Sequence, residues 1–506
     1  MAGRKSTEVK FKVDWRRDLI LTAGLIAVSI VFILAVMPPG ARKVSEPPAA
    51  GATATTLAPT VRKPAVAGSF YPADGKRLSA DVDGYLGKAP EFPEVYGIRG
   101  LVSPHAGYVY SGPVAAYGYR QLMRSRYETV IVMGPSHYVR FNKASIDDVD
   151  YYETPLGRVE VSPKVKEMLR EDVFTYEPEA HVKEHSVEVQ VPFLQSVLPP
   201  FKLIPIVVGE VDPGKLADAL MKYVDDDTLI VASTDLSHYE QYDVCRRMDN
   251  ETVQTILNLD VNKGIGPAYA CGRTPTMALM EIARGKGWRT KLFDYRNSGD
   301  TTGDKSQGVV GYASIGFHDG LDAREQETLL EIAEKTLKAH YSGEAYEADE
   351  KTLPPKLLEV KACFVTLNKN KSLRGCIGDL APQQKLYRCV IENALNAALY
   401  DSRFQQVTKD ELKDIKIEIS ALTEPKQLRY ESPDDLLAKL LPNVDGAILK
   451  YKGRQSTYLP VVWEMLPEKT EFLQELCLKQ GSPTDCWKTA EVYTYQAQEF
   501  HQEGFK

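Results

Sequence analysis

The feature that most constrains this chain is an uncharged apolar segment close to its N-terminus. Residues 19–37 (LILTAGLIAVSIVFILAVM) contain no charged side chain. At about 1.5 Å per residue, a helix of this length is about as long as the hydrocarbon layer of a membrane is thick. The segment therefore predicts an uncleaved transmembrane anchor. A cleaved signal peptide is the alternative, although its apolar core is usually shorter, and Pro38 and Pro39 follow here instead of a small-residue cleavage site.

Basic residues are distributed unequally around this segment. Six precede it, whereas only Arg42 and Lys43 follow it closely. Because positive charge is retained on the cytoplasmic side, residues 1–18 are predicted to be cytoplasmic and the domains extracytoplasmic, as in a single-pass membrane protein. Residues 38–62 are rich in Pro, Ala and Thr and lack an apolar period, which is typical of an extended tether.

The chain of 506 residues is long enough for two or three domains, and its composition is ordinary. Its net charge of −7 excludes the strong basic bias of a nucleic-acid-binding protein. Residues 63–318 alternate β-rich and helical patterns, which predicts an α/β domain around a largely buried sheet. Residues 325–505 open with an amphipathic helical pattern and then mix strands and helices, which predicts an α+β domain. In the first domain the β-rich runs are 98–102, 129–133, 203–208, 229–232 and 308–315, and the helical patterns include 214–224, 248–259 and 276–285.

Polar side chains stand directly after three of these predicted strands. His105 follows the first run, His137 the second, and Asp235 with His238 the fourth. Because ligands of open α/β sheets gather beyond the carboxyl ends of the strands, these side chains are expected in one crevice. Five of the eight histidines lie between residues 105 and 238, which strengthens that expectation.

Two further residues are candidates for the same crevice. Cys271 is followed by Gly272, in a loop that would let the backbone approach a site closely. His185 lies in the stretch EHSVEVQVPFLQ (184–195), where Glu184 and Glu188 bracket it at helical spacing.

Together these residue types indicate metal chemistry. Two neutral imidazoles and one anionic donor can hold a divalent iron and leave coordination positions open, and a thiolate donor adds copper and zinc as candidates. Groups that move protons or support the ligands would lie nearby. The predicted metal ligands are His105, His137 and Cys271, and the predicted catalytic residues are Asp235, His238 and His185.

Five motifs lie within residues 62–318, namely HAGYVYSG (105–112), GPSH (134–137), EHSVEVQVPFLQ (184–195), STDLSH (233–238) and CGRTP (271–275). Together they resemble the Memo family. The resemblance implies a fold similar to the class III extradiol dioxygenases of the LigB type. It also implies a pocket lined by two histidines and a cysteine, which fall on His105, His137 and Cys271, followed by a motif whose aspartate and histidine fall on Asp235 and His238.

Residues 325–505 resemble the AMMECR1 family, with LRGCIGDLAP (373–382) as the core motif. The glycines of this loop permit tight turns, and its arginine could present a cationic fork to an anion. A catalytic thiolate at Cys376 would need an activating histidine, and the domain's only histidines, His340 and His501, lie far away in sequence, so a structural or ligand-contacting loop is the favoured interpretation. The signature residues are Arg374, Gly375, Cys376 and Gly378. Supporting motifs are DSRFQQVTKDEL (401–412), IEISALTEP (417–425) and YLPVVWEMLPEKTEFLQELCLK (458–479).

The joint presence of both domains resembles fusions within the AMMECR1–Memo–radical SAM system. It implies a radical SAM partner, which usually works in the cytoplasm and therefore conflicts with the predicted export. Seven cysteines are present, and Cys477 with Cys486 is the pair closest in sequence, either bridged or left as buried thiols.

The leading functional hypothesis is a membrane-anchored, metal-binding, oxidoreductase-like protein that uses Fe(II) on a small-molecule or peptide substrate. A non-catalytic module that binds a peptide or partner is the alternative, and a structural zinc site is a third hypothesis.

Overall fold

The computed structural model describes residues 58–92, 95–123 and 125–505. The predicted anchor at 19–37 and most of the predicted tether lie outside these residues. Among the helices that are described, none is long and apolar enough to cross a membrane. The described chain forms a larger first domain and a smaller second domain.

The first domain alternates strands and helices as its sequence patterns predict. Its strands are β1 (Val61–Arg62), β2 (Ile98–Ser103), β3 (Thr129–Pro135), β4 (Ala144–Ile146), β5 (Tyr151–Thr154), β6 (Gly157–Val161), β7 (Phe174–Thr175), β8 (Lys202–Val208), β9 (Thr228–Ser233), β10 (Arg289–Asn297) and β11 (Gly311–His318). Its helices are α1 (Gly75–Leu86), α2 (Tyr108–Arg120), α3 (Val165–Met168), α4 (Pro178–Val182), α5 (Val191–Val197), α6 (Pro213–Met221), α7 (Tyr242–Leu257), α8 (Arg273–Lys286) and α9 (Ser298–Thr302).

One mixed sheet forms the centre of this domain, with the strand order β1-β5-β6-β8-β3-β9-β2-β11-β10. Its middle, β8-β3-β9-β2, is parallel. β3, β9 and β11 are buried along their whole length, because an apolar cluster covers each face of the sheet. The predicted α/β domain around a largely buried sheet is thus confirmed, although β11 begins three residues later than its predicted run and α7 six residues earlier than its predicted pattern.

The second domain begins with a helix that its own sequence caps. The Asp322 side chain accepts the N–H of Glu325 (2.8 Å), and the Glu325 carboxylate accepts the N–H of Asp322 (2.9 Å), so both ends of a capping box are closed. The helices are α10 (Ala323–Tyr341), α11 (Leu386–Leu399), α12 (Pro433–Lys439) and α13 (Lys469–Lys479). The strands are β12 (Cys363–Lys369), β13 (Ser372–Gly378), β14 (Ile415–Leu422), β15 (Lys426–Gln427), β16 (Gly446–Tyr451), β17 (Arg454–Tyr458), β18 (Glu491–Tyr495) and β19 (Ala497–His501).

Two antiparallel sheets, β13-β12-β14-β19 and β15-β18-β16-β17, organise these elements into the predicted α+β domain. α10 and α11 cover one face of the first sheet. A separate apolar cluster packs against the second sheet, and at its centre the rings of Trp463 and Phe472 stack at 3.7 Å. Disulfide bonds join Cys363 to Cys389 and Cys477 to Cys486. The sequence left Cys477 and Cys486 as either bridged or buried thiols, and the structure shows them bridged. Nothing in the sequence pattern indicated the bridge between Cys363 and Cys389.

Direct contacts join the two domains. The side-chain amide of Gln498 exchanges two hydrogen bonds of 2.8 Å with the backbone of Leu321. The Arg126 guanidinium pairs with the buried carboxylate of Asp445 at 2.8 Å. A cleft of about 1080 Å³ runs beside these contacts and is lined by both domains.

Candidate metal centre

The strand order brings the predicted ligands together. β9 lies between β3 and β2, and all three strands run parallel, so their carboxyl ends meet at one edge of the sheet. His105 comes two residues after β2, and His137 comes two residues after β3. Cys271 reaches the same edge from the start of α8, where Gly272 donates its N–H to the Thr234 hydroxyl (2.9 Å) just beyond β9.

The sequence prediction that Gly272 permits a close approach has a specific physical reason. A Cβ at this position would collide with the backbone carbonyl oxygen of Ser233 and with the side chain of Thr234. Only glycine therefore lets the first turn of α8 lie against the end of β9 and deliver Cys271 to the site.

His105, His137 and Cys271 form a compact donor cluster. One potential ligand atom from each lies within 4.8 Å of the other two. The Cys271 sulfur is 3.2 Å from Nε2 of His105. His105 is buried, Cys271 is half-buried and His137 is exposed, so the cluster is closed on the protein side and open towards solvent. Two imidazoles and one sulfur at these separations fit a divalent transition metal such as iron, zinc or copper.

Hydrogen bonds around Nδ1, the ring nitrogen that faces away from Cys271, orient the His105 ring. The Ser233 hydroxyl donates to the carbonyl of Ser186 (2.6 Å) and accepts from the Gln190 side-chain amide (2.8 Å). Nδ1 of His105 lies 2.9 Å from the same hydroxyl, which is left to act as an acceptor. Nδ1 therefore carries the proton and donates, and the lone pair of Nε2 faces Cys271.

Glu184 orients His137 in the same way. Its carboxylate lies 2.9 Å from Nδ1 of His137 and accepts the backbone N–H of that residue (2.7 Å) and of Ser186 (2.9 Å). Burial raises the pKa of Glu184, but the hydrogen bonds from His137 and Ser186 outweigh it and bring the pKa to about 2. An ionised carboxylate only accepts, so Nδ1 of His137 donates and Nε2 is left free for a ligand.

His185 lies beside the cluster, but the predicted helical spacing around it is wrong. It precedes the short 3₁₀ helix Glu188–Gln190, and Glu188 turns away to pair with buried Arg62. The His185 ring stacks on His137 at 4.6 Å. Burial lowers the pKa of His185 to about 4. His137, Glu184 and His185 also satisfy the distance criterion for a metal group, but backbone and imidazole N–H donors already occupy the Glu184 oxygens.

Asp235 and His238 lie at the edge of the cluster. Among the described residues, neither belongs to a group of side chains whose donor atoms are close enough to hold one metal ion. The Asp235 carboxylate is buried and accepts the backbone N–H of His105 (2.8 Å), and burial raises its pKa to about 7. His238 is exposed, with its ring 6.0 Å from the ring of Tyr239. Asp235 therefore supports the His105 loop, and His238 lies on the solvent side.

The residues that orient the ligands could not be recognised from the sequence patterns. Ser233, Ser186 and Gln190 form the hydrogen-bonded chain behind His105, and none of them was singled out. All three lie inside the quoted motifs STDLSH and EHSVEVQVPFLQ. Their positions beside candidate ligands in those motifs were the only signal that could have found them.

The signature loop of the second domain uses its polar groups internally. The Arg374 guanidinium contacts the carboxylate of Glu411 at 3.1 and 3.2 Å and donates to the carbonyls of Gln405 (2.6 Å) and Gln406 (3.2 Å), so the cationic fork predicted to meet an anionic ligand is already filled. A Cβ at Gly375 would collide with the backbone of α11 at Ala397.

Cys376 is held through its backbone. Its N–H donates to the Asp401 carboxylate (2.9 Å), and its carbonyl accepts from the Arg403 guanidinium (3.2 Å). Asp401 and Arg403 also pair with each other at 2.7 Å. Burial raises the pKa of the Cys376 thiol, and no histidine lies among its described contacts. A Cβ at Gly378 would collide with the backbone of Cys363 and with Phe364, so close packing explains both glycines of the loop.

Comparisons with known proteins identify the family of each domain. The family model described as Memo-like protein matches residues 62–316, and the model described as AMMECR1 matches residues 330–500. A MEMO1 family protein from Sulfurisphaera tokodaii is 35% identical over 285 residues, covering 51% of this chain and 100% of that protein. One from Sulfolobus acidocaldarius is 38% identical with the same coverage. A crystal structure of an uncharacterised protein from Pyrococcus horikoshii is 31% identical, covers 36% of this chain and 92% of that chain, and has a TM-score of 0.34. The chain belongs to the Memo-like protein family, and an AMMECR1 domain follows its Memo-like domain.

Proposed function

We propose that the first domain is a mononuclear metal centre, with Fe(II) as its metal, and that the protein acts as an oxidoreductase-like enzyme on a small-molecule or peptide substrate. The observation that carries the proposal is the convergence of three donor atoms within 4.8 Å. Hydrogen bonds from Nδ1 of His105 to Ser233 and from Nδ1 of His137 to Glu184 leave the Nε2 lone pair of each ring available for a ligand.

Each residue of the site has a distinct role in this proposal. His105, His137 and Cys271 hold the metal, whose bound form supplies redox and Lewis-acid chemistry at open coordination positions. Asp235 holds the backbone of the His105 loop. His185 stacks on His137 from the protein side, and exposed His238 stands at the mouth, so these two imidazoles are placed to hold or move a proton at a bound substrate.

Metal analysis after anaerobic purification tests the metal centre. About one metal ion per chain is expected in the wild type, with iron identified by anomalous scattering. His105→Ala, His137→Ala and Cys271→Ala should each lose the metal, because two donors cannot hold an ion as tightly as three. His340→Ala and Cys376→Ala are matched controls outside the site and should retain it.

Three outcomes would count against the proposal. Equal metal occupancy in the wild type and in all three site variants would remove the ligand assignment. Unfolding of the domain on chelation would indicate a structural zinc site instead. If metal binds but dioxygen consumption with candidate phenols is absent, the oxidoreductase-like activity loses its support.

A non-catalytic module that binds a peptide or partner is the second candidate. The observation that favours it is a set of exposed apolar side chains, each one to four residues after a histidine of the candidate site. Val109 is 66% exposed, Tyr138 56% and Tyr239 80%. Exposed apolar groups that cluster around a pocket are typical of interaction sites. This function predicts partner recovery that Tyr138→Ser and Tyr239→Ser abolish, whether or not metal is bound.

We also propose that residues 19–37 anchor the protein in a membrane with both domains outside the cytoplasm. The two disulfide bonds of the second domain support this topology, because structural disulfides persist in oxidising compartments. A radical SAM partner is the competing proposal, because such a partner would require a reducing compartment. This second proposal rests on family resemblance alone.

Two measurements separate these alternatives. A topology reporter fused after Lys506 should be active only on the extracytoplasmic side. Alkylation of the unfolded, unreduced protein should label three thiols, those of Cys245, Cys271 and Cys376, and four more only after reduction. Seven labelled thiols before reduction, together with a cytoplasmic reporter, would support the radical SAM partnership instead.

A further inference from the structure

A cleft of about 580 Å³ opens beside the metal cluster. His137 and Cys271 form part of its wall, so a molecule bound there would lie against two of the three proposed ligands. The remaining walls come from the segment after β3, the end of β8 and the first residues of α8. Its volume is in the usual range for pockets that bind small organic molecules.

The lining of this cleft is mainly polar, with a smaller apolar and aromatic part. Tyr138 and Phe141 line it after β3, and Val211 lines it after β8. Tyr138 is 56% exposed, and its ring lies 6.1 Å from the ring of His185. Such a surface favours a flat or apolar ligand body, because burial of both apolar surfaces removes them from water.

The wall of the cleft also carries an available cation. Arg273 lines the cleft from the first position of α8 and is exposed. No carboxylate of the described residues lies within ion-pair distance of its guanidinium, whereas the other arginine of the cleft, Arg140, lies 3.6 Å from Glu210. With Arg140 and Glu210 offsetting each other, the lining side chains sum to one positive charge, which belongs to Arg273.

We propose that this cleft binds a small organic anion. Its carboxylate or phosphate group pairs with Arg273, and its apolar body lies against Tyr138 and Phe141, next to His137 and Cys271. A guanidinium forms paired hydrogen bonds to either kind of anion. The inference rests on the proposed function, because it makes the bound anion the class of substrate that the metal centre would act on.

Calorimetric binding of three probes tests the inference on the full-length protein. Benzoate and phenyl phosphate carry the two kinds of anion, and benzamide has the same ring without charge. Benzoate or phenyl phosphate should bind at least tenfold more tightly than benzamide, and the better of the two identifies the preferred anion. Arg273→Gln should weaken the anions at least tenfold and change benzamide less than twofold, whereas Arg273→Lys should recover part of the loss.

The controls separate this inference from the metal proposal. Arg158→Gln removes an exposed cation that pairs with Glu153 outside the cleft, and it should leave all three probes unchanged. Each titration is run on metal-free and Co(II)-loaded protein, and bound anion should shift the Co(II) absorption bands. Absence of Co(II) binding with Arg273-dependent anion binding intact would refute only the metal centre. Equal binding of benzoate and benzamide, or an unchanged Arg273→Gln variant, would overturn the anion site.

Discussion

Both domains present a cysteine beside a glycine in a short motif, yet they use it in opposite ways. At Cys271 the surrounding polar groups orient two imidazoles and leave their Nε2 atoms open, with one of them 3.2 Å from the sulfur. At Cys376 the surrounding charges satisfy one another, because Asp401 pairs with Arg403 and both hold the backbone of the loop. A cysteine motif of this kind therefore marks a functional site only where its neighbours leave donor atoms unsatisfied.

The largest expected effect comes from Gly375→Ala. If the signature loop is a packing element, the new Cβ must push β13 away from the Ala397 backbone in α11. We expect about 3 kcal/mol of destabilisation of the second domain, the upper part of the usual range for overpacking, because a backbone atom cannot move aside. Chemical denaturation of the full chain measures it.

Gly84→Ala is a suitable control for that substitution. A Cβ at Gly84 in α1 would meet nothing within 4 Å, and alanine favours a helix, so the variant should be neutral or slightly more stable. Metal content should be unchanged in both variants. A Gly375→Ala protein with wild-type stability would show that the loop does not depend on close packing, and it would weaken the contrast between the two cysteine motifs.

The second effect concerns the first domain and the role of Glu184. Glu184→Gln keeps the shape of the side chain, but the neutral amide no longer fixes Nδ1 of His137 as a donor to a charged acceptor. We expect metal affinity to fall about 10- to 100-fold, as for other supporting groups of metal ligands. Competition with a chromophoric chelator measures it. The matched control Glu210→Gln changes an exposed glutamate near the site and should retain full affinity.

Much of the metal site could be predicted from the sequence, but not all of it. Strand periodicity and the polar residues that end each run predicted His105 and His137 as neighbours, whereas Cys271 was predicted from its glycine-containing loop and from the family resemblance. The helical spacing around His185 was wrong, because residues 184–187 form a turn in which Glu184 accepts three backbone N–H groups. Long-range partners of this kind depend on strand order, which local patterns do not encode.

The signature loop shows the same limit in the second domain. The sequence indicated tight backbone turns at its glycines, whereas the structure shows close packing against α11 and β12. Arg374 was predicted to face an anionic ligand, and its partner proved to be Glu411, 37 residues further along the chain. A single sequence shows that a cation is present, but only the fold shows whether an internal carboxylate reaches it.

Asp401→Asn tests whether internal charge pairing holds the signature loop. The wild-type carboxylate accepts from the Arg403 side chain and from the backbone of Cys376, and these bonds lower the pKa of Asp401 to about 2. The variant should lose about 2 kcal/mol of stability at neutral pH, as expected for charge-assisted hydrogen bonds. Because the folded pKa lies below the ordinary value, the wild-type advantage is present above pH 4 and declines as the pH falls towards 2. Denaturation of both proteins across this range measures it, and Asp410→Asn, at an exposed aspartate, is the control.

The smallest expected effect lies at His318, at the end of β11 where the first domain meets the second, far from both cysteine motifs. His318 is only 8% exposed, and burial, together with the charges of Arg289 and Lys356, lowers its pKa to about 4, against an opposing effect of Asp319. A histidine whose folded pKa is depressed stabilises the protein above its unfolded pKa of about 6.5, and this contribution is lost as the pH falls. Between pH 6.5 and 5 the loss should be about 1 to 2 kcal/mol, and His318→Gln should remove that pH dependence. If thermal unfolding resolves two transitions, the loss should appear in both, because the cations that lower this pKa come from both domains, Arg289 from the first and Lys356 from the second. If the loss of stability is confined to one transition, the two domains that carry the cysteine motifs are independently stable units.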